Sequence, residues 1–237
     1  MNTVVGGPRY AIYFVPAPDS AIYRFGAAAL GYDCYADGDV PHWPDIILTH
    51  SQWAELTREP RTYGFHATLK PPFRLRPDYV EADLLQAFHA FAAEAPSAPT
   101  IVPAVDLLEG FVAVVPQSPS VELDVRAGSC VQAFDHFRAP MGAEERARRS
   151  RANLSDRQIA NLDRWGYPYV FEDFRFHMTL TGRVEPSHRP AILSYLQKRF
   201  CECCDKRPLP IDCLALLRQS SPNARFRVIA HSHQVTS

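Results

Sequence analysis

The sequence predicts an α+β fold, on three observations. Strand-like and helix-like runs alternate along the chain, neighbouring strand runs meet at hairpin-like junctions, and one strand-plus-helix unit occurs twice. Hairpins mixed with helices point to antiparallel sheet rather than a doubly wound parallel one. The repeat, built on two copies of Phe-His-x-Thr-Leu, predicts two similar lobes facing each other within one domain over residues 1–237.

Arg9-Tyr-Ala-Ile-Tyr-Phe-Val15 is aromatic and β-branched and stops at Pro16-Ala-Pro18, as a buried strand and its breaker do. Asp19 or Ser20 can cap a helix over Ala21 to Leu30, with Gly31 marking its end. From Tyr32 to Pro60 the pattern is irregular, with a short helix expected near Ser51 to Thr57. Tyr63 to Lys70 returns to strand character, and Pro71-Pro72 is expected to end it.

Val80, Leu84, Leu85, Phe88 and Phe91 recur at helical spacing, predicting a helix over Val80 to Ala95 with Asp78 as a cap. Thr100 to Leu108 and Gly110 to Val115 read as strands joined at Glu109-Gly110. Ser120 to Arg126 alternates apolar with charged residues and reads as a further strand, followed by a helix over Cys130 to Arg138. Ala143 to Trp165 predicts one or two helices, the second capped by Ser155. Asp173 to Val184 reads as a buried strand and Pro186 to Phe200 as a helix. Strands over Ile211 to Leu217 and Phe226 to Ala230 then close the chain around a turn at Ser220 to Asn223.

Composition removes several functional classes. With 46% hydrophobic residues and 25 basic against 26 acidic groups in 237, the chain can bury a core, so disorder is excluded; its 21 prolines have no Gly-X-Y period. No apolar run is long enough to span a bilayer, and the N-terminus lacks a charged-then-apolar leader, so a cytoplasmic protein without membrane contact is expected. The six cysteines are accordingly read as thiols. A net charge of −1 argues against long nucleic acid, whose binding is built from clustered Lys and Arg. The one basic concentration holds five arginines between Arg138 and Arg151 against Glu144 and Glu145. It reads as a solvated helix face, the alternative being a basic flap over an anionic substrate.

The chemistry lies in the repeat. Tyr63-Gly-Phe-His-Ala-Thr-Leu-Lys70 and Phe174-Arg-Phe-His-Met-Thr-Leu-Thr181 place His66 and His177 111 residues apart. In a strand successive side chains alternate faces. Phe65, Ala67 and Leu69 should therefore pack while His66, Thr68 and Lys70 share the other face; Phe176, Met178 and Leu180 should pack opposite His177, Thr179 and Thr181. A His and a Thr two positions apart project side by side at about 7 Å, close enough to address one phosphate. Two imidazoles with ordinary pKa values near 6.5 can divide the work of phosphodiester cleavage. One takes a proton from the attacking water and the other gives one to the leaving oxygen. Threonine hydroxyls can donate to the non-bridging oxygens, and nothing in the scheme requires a metal or another cofactor.

These segments resemble the 2H phosphoesterase superfamily, named for two His-x-Thr/Ser motifs. Arg61 to Phe73, Asp163-Arg-Trp-Gly-Tyr-Pro-Tyr169 and Phe174 to Arg183 look more closely like its branch found beside phosphonate-degradation genes. The resemblance implies a bilobal fold of two pseudo-symmetric sheet-plus-helix lobes around a central cleft, and metal-independent cleavage of a phosphodiester, typically a cyclic one. It implies His66 and His177 as the acid/base pair and Thr68 and Thr179 as phosphate ligands. The substrate it suggests is a small phosphorylated sugar or nucleotide, such as a phosphoribosyl cyclic phosphate.

By the same alternation Lys70 and Thr181 should line the cleft as candidate substrate contacts. Arg183 is a third candidate, with Gly182 leaving its direction open. Tyr63, Tyr167 and Tyr169 could stack on a base or sugar but are read as core, where aromatic residues near strands usually lie. Cys201-Glu-Cys-Cys204 with Cys213 lacks the paired spacing of a zinc site; His188, His231 and His233 fit no ligand spacing, and His42, His50, His89 and His136 read as surface or satisfied core. Two other functions share the same residues: an RNA-end 2′,3′-cyclic phosphodiesterase or 2′-5′ ligase, and a protein that binds a phosphorylated ligand without turning it over. The oligomeric state is left open.

Overall fold

In a computed structural model of the chain the described residues are 7–94, 97–150, 153–204 and 208–233. In order they form β1 (Arg9–Phe14), α1 (Ala21–Leu30), β2 (Tyr32–Asp33), β3 (Gly38–Asp39), α2 (His50–Leu56), α3 (Arg58–Arg61), β4 (Ala67–Phe73) and α4 (Glu81–Glu94). There follow β5 (Thr100–Ile101), β6 (Pro103–Leu108), β7 (Phe111–Pro116), α5 (Val121–Phe134), α6 (Ala143–Arg149) and α7 (Asp156–Trp165). The last elements are β8 (Met178–Thr179), α8 (Arg189–Cys203), β9 (Leu209–Pro210), β10 (Cys213–Gln219) and β11 (Arg227–His233).

The fold is mixed α+β around one seven-stranded sheet of order β11-β10-β1-β4-β8-β7-β6, in which each neighbouring pair is antiparallel. The strands of both halves of the chain belong to this one continuous sheet. Its joint is narrow: β4 and β8 pair only at Ala67 and Met178. Phe14, Ala67, Met178 and Val114 are successive cross-strand partners, each at most 1% exposed, so a single buried apolar row stitches the two halves together. Phe65, Leu69, Phe176 and Leu180 are buried as their alternation predicts.

Local chemistry explains most boundaries. Ser20 caps α1 by accepting from the Tyr23 N–H, and Ser155 and Gln158 form the reciprocal capping box of α7. The segment expected as a strand over Ser120 to Arg126 is instead the start of α5, with Ser120 as its cap and Glu122 and Asp124 in the first turn. Its buried set is Leu123, Arg126, Ala127, Gly128, Cys130, Val131 and Phe134, a helical stripe, while Val121 and Val125 are exposed at 72% and 62%. Six alternating residues satisfy both periods, and the apolar continuation to Phe134 decides for the helix.

β4 also differs from expectation, because it runs through Pro71 and Pro72 to Phe73. Pro71 and Pro72 fall in the register shift between the pairs Ile12–Lys70 and Tyr10–Phe73, a bulge with one extra residue on β4, where prolines are tolerated. β8 is two residues long where a strand over Asp173 to Val184 is expected. A 3₁₀ turn at Phe171–Asp173 precedes it, and beyond it the Leu180 and Thr181 N–H groups both turn to the Val112 carbonyl. Ala95, the expected end of the helix over 80–95, and Arg151 of the basic segment lie outside the described residues. No helix among the described residues is long and apolar enough to cross a membrane.

Candidate active site

The single β4–β8 pair brings the two motifs together. An antiparallel pair has a local twofold axis normal to the sheet, and here it passes between Ala67 and Met178. Continuing that register by one residue each way sets His66 opposite Thr179 and Thr68 opposite His177. Ala67 and Met178 point into the core, so the four polar side chains share the other face, where each is half-buried. With cross-strand spacings of about 5 Å and along-strand spacings of about 7 Å, they form a rectangle with the histidines on one diagonal, roughly the size of a phosphate group.

Both imidazoles are anchored in the same way. His66 Nδ1 lies 2.9 Å from the Gly64 carbonyl and His177 Nδ1 lies 2.7 Å from the Arg175 carbonyl, in each case two residues back. A carbonyl can only accept, so each Nδ1 carries a proton and each Nε2 is left to do chemistry. Thr68 donates its hydroxyl to His66 Nε2 at 3.2 Å.

Backbone geometry makes the first anchor. Gly64 adopts φ +75°, and a Cβ there would sit 2.8 Å from Cys34 Cβ. Beside it the Phe65 ring lies flat on Gly26 of α1, where a Cβ would fall 2.0 Å from the ring. The close approach of that helix seats Phe65 and so sets where β4 begins.

The surroundings of the two rings differ. Tyr13 stacks on His66 with ring centroids 3.8 Å apart and planes 22° from parallel, and Tyr63 lies 6.1 Å away. Burial lowers the His66 pKa to about 4, outweighing the favourable Gly64 carbonyl and aided by the nearby His177. His177 is also lowered by burial, but its Arg175 carbonyl and the Glu109 carboxylate both oppose the shift. Phe111 of β7 flanks it at 5.6 Å.

The other candidates fall elsewhere. Lys70 does not share the surface of His66 and Thr68: it is fully buried, and its ammonium donates to the Val131 carbonyl at 3.0 Å and to Asp135 Oδ1 at 2.7 Å. The cause is a register shift between the pairs Tyr13–Thr68 and Ile12–Lys70, which turns Lys70 to the face covered by α5. Burial lowers its pKa to about 8 against the pull of Asp135, so at neutral pH it remains an ammonium in an internal ion pair. Thr181 is likewise fully buried, with Oγ1 accepting from the Val112 N–H at 2.9 Å. Arg183 is exposed, its guanidinium lying against Gly110 at the β6–β7 turn.

Three arginines of the basic segment are held in ion pairs, while Arg148 is exposed and 4.0 Å from the already paired Glu145. Arg138 chelates Asp135, Arg146 chelates Asp163 at 2.6 and 2.8 Å, and Arg149 holds Glu145 at 2.7 Å. A hollow of about 450 Å³ beside them is lined by Arg138, Asp135, Arg146 and Asp163 together with Arg76 and His136.

Of the tyrosines expected in the core, Tyr169 is 41% exposed while Tyr63 and Tyr167 are half-buried. Burial pushes the Tyr167 phenol up to about 12. The phenols of Tyr63 and Tyr167 lie close enough to Tyr13 to disfavour its ionisation further, after burial itself. These three and Phe111 are the aromatic side of the site; sequence reasoning weighed Tyr63 and Tyr167 for it but missed Tyr13 and Phe111. The Trp-Gly-Tyr-Pro-Tyr run hinted at it. The six cysteines are free thiols.

A family described as a protein of unknown function, DUF1045, matches residues 68–227, a span that holds Thr68, His177 and Thr179 and stops two residues short of His66. The chain belongs to the DUF1045 family. It is also 38% identical over 226 residues to ribose 1,5-bisphosphate phosphokinase PhnN of Janthinobacterium sp. (strain Marseille), covering 92% of this chain and 49% of that protein. A protein of the same name from Laribacter hongkongensis (strain HLHK9) is 32% identical over 225 residues, covering 93% of this chain and 50% of that one. The chain thus spans about half the length of the curated relatives it matches.

Proposed function

We propose that this chain is a metal-independent phosphodiesterase of the 2H type, a single domain of two lobes, that opens a small cyclic phosphate. The observation that carries this reading is the Ala67–Met178 pair, which sets two His-x-Thr motifs side by side about a local twofold. It also supports reading the sheet as two lobes, β11-β10-β1-β4 and β8-β7-β6, joined at that pair.

In the proposed reaction His66 Nε2 takes a proton from water as the water oxygen bonds to phosphorus. The bond from phosphorus to the ring oxygen breaks, and His177 Nε2–H gives its proton to that leaving oxygen. The product is a monoester, and both rings return to their starting states by exchanging one proton with solvent. Thr68 and Thr179 donate to the non-bridging oxygens, and the half-buried site makes those bonds count for more than in water.

A cyclic ribose phosphate is the proposed substrate class, with phosphonate breakdown as its setting. The relatives' name, which speaks of a ribose bisphosphate, supports the sugar. The arginines paired within 138–149 offer no stripe for a long polyanion, which counts against the RNA-end alternative.

A ³¹P NMR screen of cyclic nucleotides and cyclic ribose phosphates tests this. One cyclic diester signal should be replaced by a monoester signal, in the presence of a chelator, and not by either His66→Ala or His177→Ala. Turnover by either variant would overturn it. Tight thermal protection by a cyclic phosphate without turnover would make the chain a binding protein instead.

A further inference from the structure

The β10–β11 hairpin at the edge of the sheet assembles three side chains into a cluster with no local pattern in the chain. Cys213 is the cross-strand partner of His233, and His231 is the partner of Ala215. Paired residues share a face, as do residues two apart on one strand, so Cys213, Ala215, His231 and His233 project from the same side. The small Ala215 leaves the fourth corner open. The Cys213 Sγ and one ring nitrogen of each histidine lie within 4.8 Å of one another, the thiol buried at the floor and both imidazoles exposed above it.

The surroundings favour a ligand role. Tyr35 places its hydroxyl 3.7 Å from Cys213 Sγ and meets His231 edge-on at 5.6 Å, and the two imidazoles stand at 88° to each other. Among the described residues neither imidazole is hydrogen-bonded to protein, so their ring nitrogens are available. In a tetrahedral zinc site, bonds of about 2.3 Å to sulfur and about 2.0–2.1 Å to nitrogen put neighbouring ligand atoms roughly 3.5 Å apart. Two exposed side chains can close that distance by rotating. Magnesium and calcium prefer oxygen ligands, whereas a thiolate with two imidazoles suits zinc.

We propose that Cys213, His231 and His233 form a Zn²⁺ site with three protein ligands and a fourth position open to solvent. On binding, the Cys213 S–H bond breaks, the sulfur bonds to zinc and the proton leaves to solvent; each histidine gives a ring lone pair and nothing is oxidised or reduced. The site stands apart from the His-x-Thr rectangle. Thr68, Tyr13, Ala215 and His231 are successive cross-strand partners, so three strand spacings, about 14 Å, separate His231 from Thr68 on the same face. A metal there would not touch a phosphate between His66 and His177, and its open position would take an oxygen or nitrogen donor from a ligand lying along the sheet.

The test is a titration of the metal-stripped full chain with Zn²⁺ against a chromophoric chelator, with Co²⁺ as the spectroscopic reporter. We expect one equivalent per chain, a thiolate-to-cobalt charge-transfer band and the visible bands of tetrahedral cobalt. His231→Ala and His233→Ala, both at exposed positions, should each weaken binding at least about tenfold, and Cys213→Ser should remove the charge-transfer band. A Cys201→Ser/Cys203→Ser double variant should bind as the parent does. The proposal is overturned by undiminished binding in both histidine variants, by loss of binding in the Cys201/Cys203 variant, or by affinity weaker than about 10 μM in the parent.

Discussion

His66 and His177 are held by the same device, an Nδ1–H donated to the carbonyl two residues back, yet they sit in unlike surroundings. His66 enters a seven-residue strand, stacks on Tyr13 and is pushed down to about 4 by burial. His177 enters a two-residue strand that follows a 3₁₀ turn, and the Glu109 carboxylate works against the lowering that burial imposes. One repeated motif therefore supplies geometry, and the two neighbourhoods supply the difference in proton affinity. Two titratable groups pushed apart in this way are suited to opposite roles, the neutral His66 as base and the more easily protonated His177 as acid.

The largest expected effects break the comparison at its common part. On the proposed reaction, removing either imidazole should lower kcat/KM for the cyclic phosphate by about 10²–10⁴-fold, and the two losses should be similar because in that scheme each ring moves one proton per turnover. If His177→Ala retained parental kcat/KM while His66→Ala did not, the twofold picture would fail. Next come the hydroxyls. Thr68→Val and Thr179→Val should each cost on the order of 10²-fold in kcat, the scale of losing one donor to a developing charge. Thr68 also donates to His66 Nε2, so its loss should move the low-pH limb of the rate profile as well, whereas loss of Thr179 should leave that limb in place.

How much of this was legible in the chain follows the range of each interaction. The core face of each motif strand could be read from Phe65, Ala67, Leu69 and Phe176, Met178, Leu180, because alternation is local. The α+β class, the β6–β7 hairpin and the capping of α7 by Ser155 were legible for the same reason. Val121 to Arg126 was not, since six residues fit either period and only the packing of Cys130, Val131 and Phe134 selects the helix. Lys70 was misplaced because its face depends on a register shift against β1, set some sixty residues away in sequence. Tyr13 belongs to a strand whose own pattern says only that it is buried; its stacking on His66 exists through the β1–β4 pairing.

The smaller predictions sharpen the contrast by moving each proton separately. kcat/KM reports the free enzyme, so activity should rise with pH as His66 loses its proton near 4 and fall as His177 loses its own at a pH below 6.5. The optimum therefore lies on the acid side of neutrality. Tyr13→Leu exposes the His66 ring to water, relieves the desolvation that lowers its pKa, and should carry the low-pH limb upward by about one unit while the high-pH limb stays put. A downward movement would mean that the stacked ring, not burial, favours the imidazolium.

Glu109→Gln should produce the smallest effect and acts on the other histidine alone. The carboxylate stabilises the His177 imidazolium from the β6–β7 turn and is also paired with the exposed Arg175 at 3.4 Å, so water and that guanidinium screen much of its field. Removing its charge should lower the His177 pKa by a few tenths of a unit, drawing the high-pH limb toward acid and leaving the His66 limb unchanged. The height of the profile decides the assignment. If His177 is the acid, its protonated form is the active one, and a lower pKa narrows the bell from its alkaline side. If His177 is instead the base, the active form needs a neutral His177 beside a protonated His66, a minority state; the same substitution then moves the alkaline limb the same way but raises the plateau as that minority grows, so the plateau height distinguishes the roles without removing either imidazole.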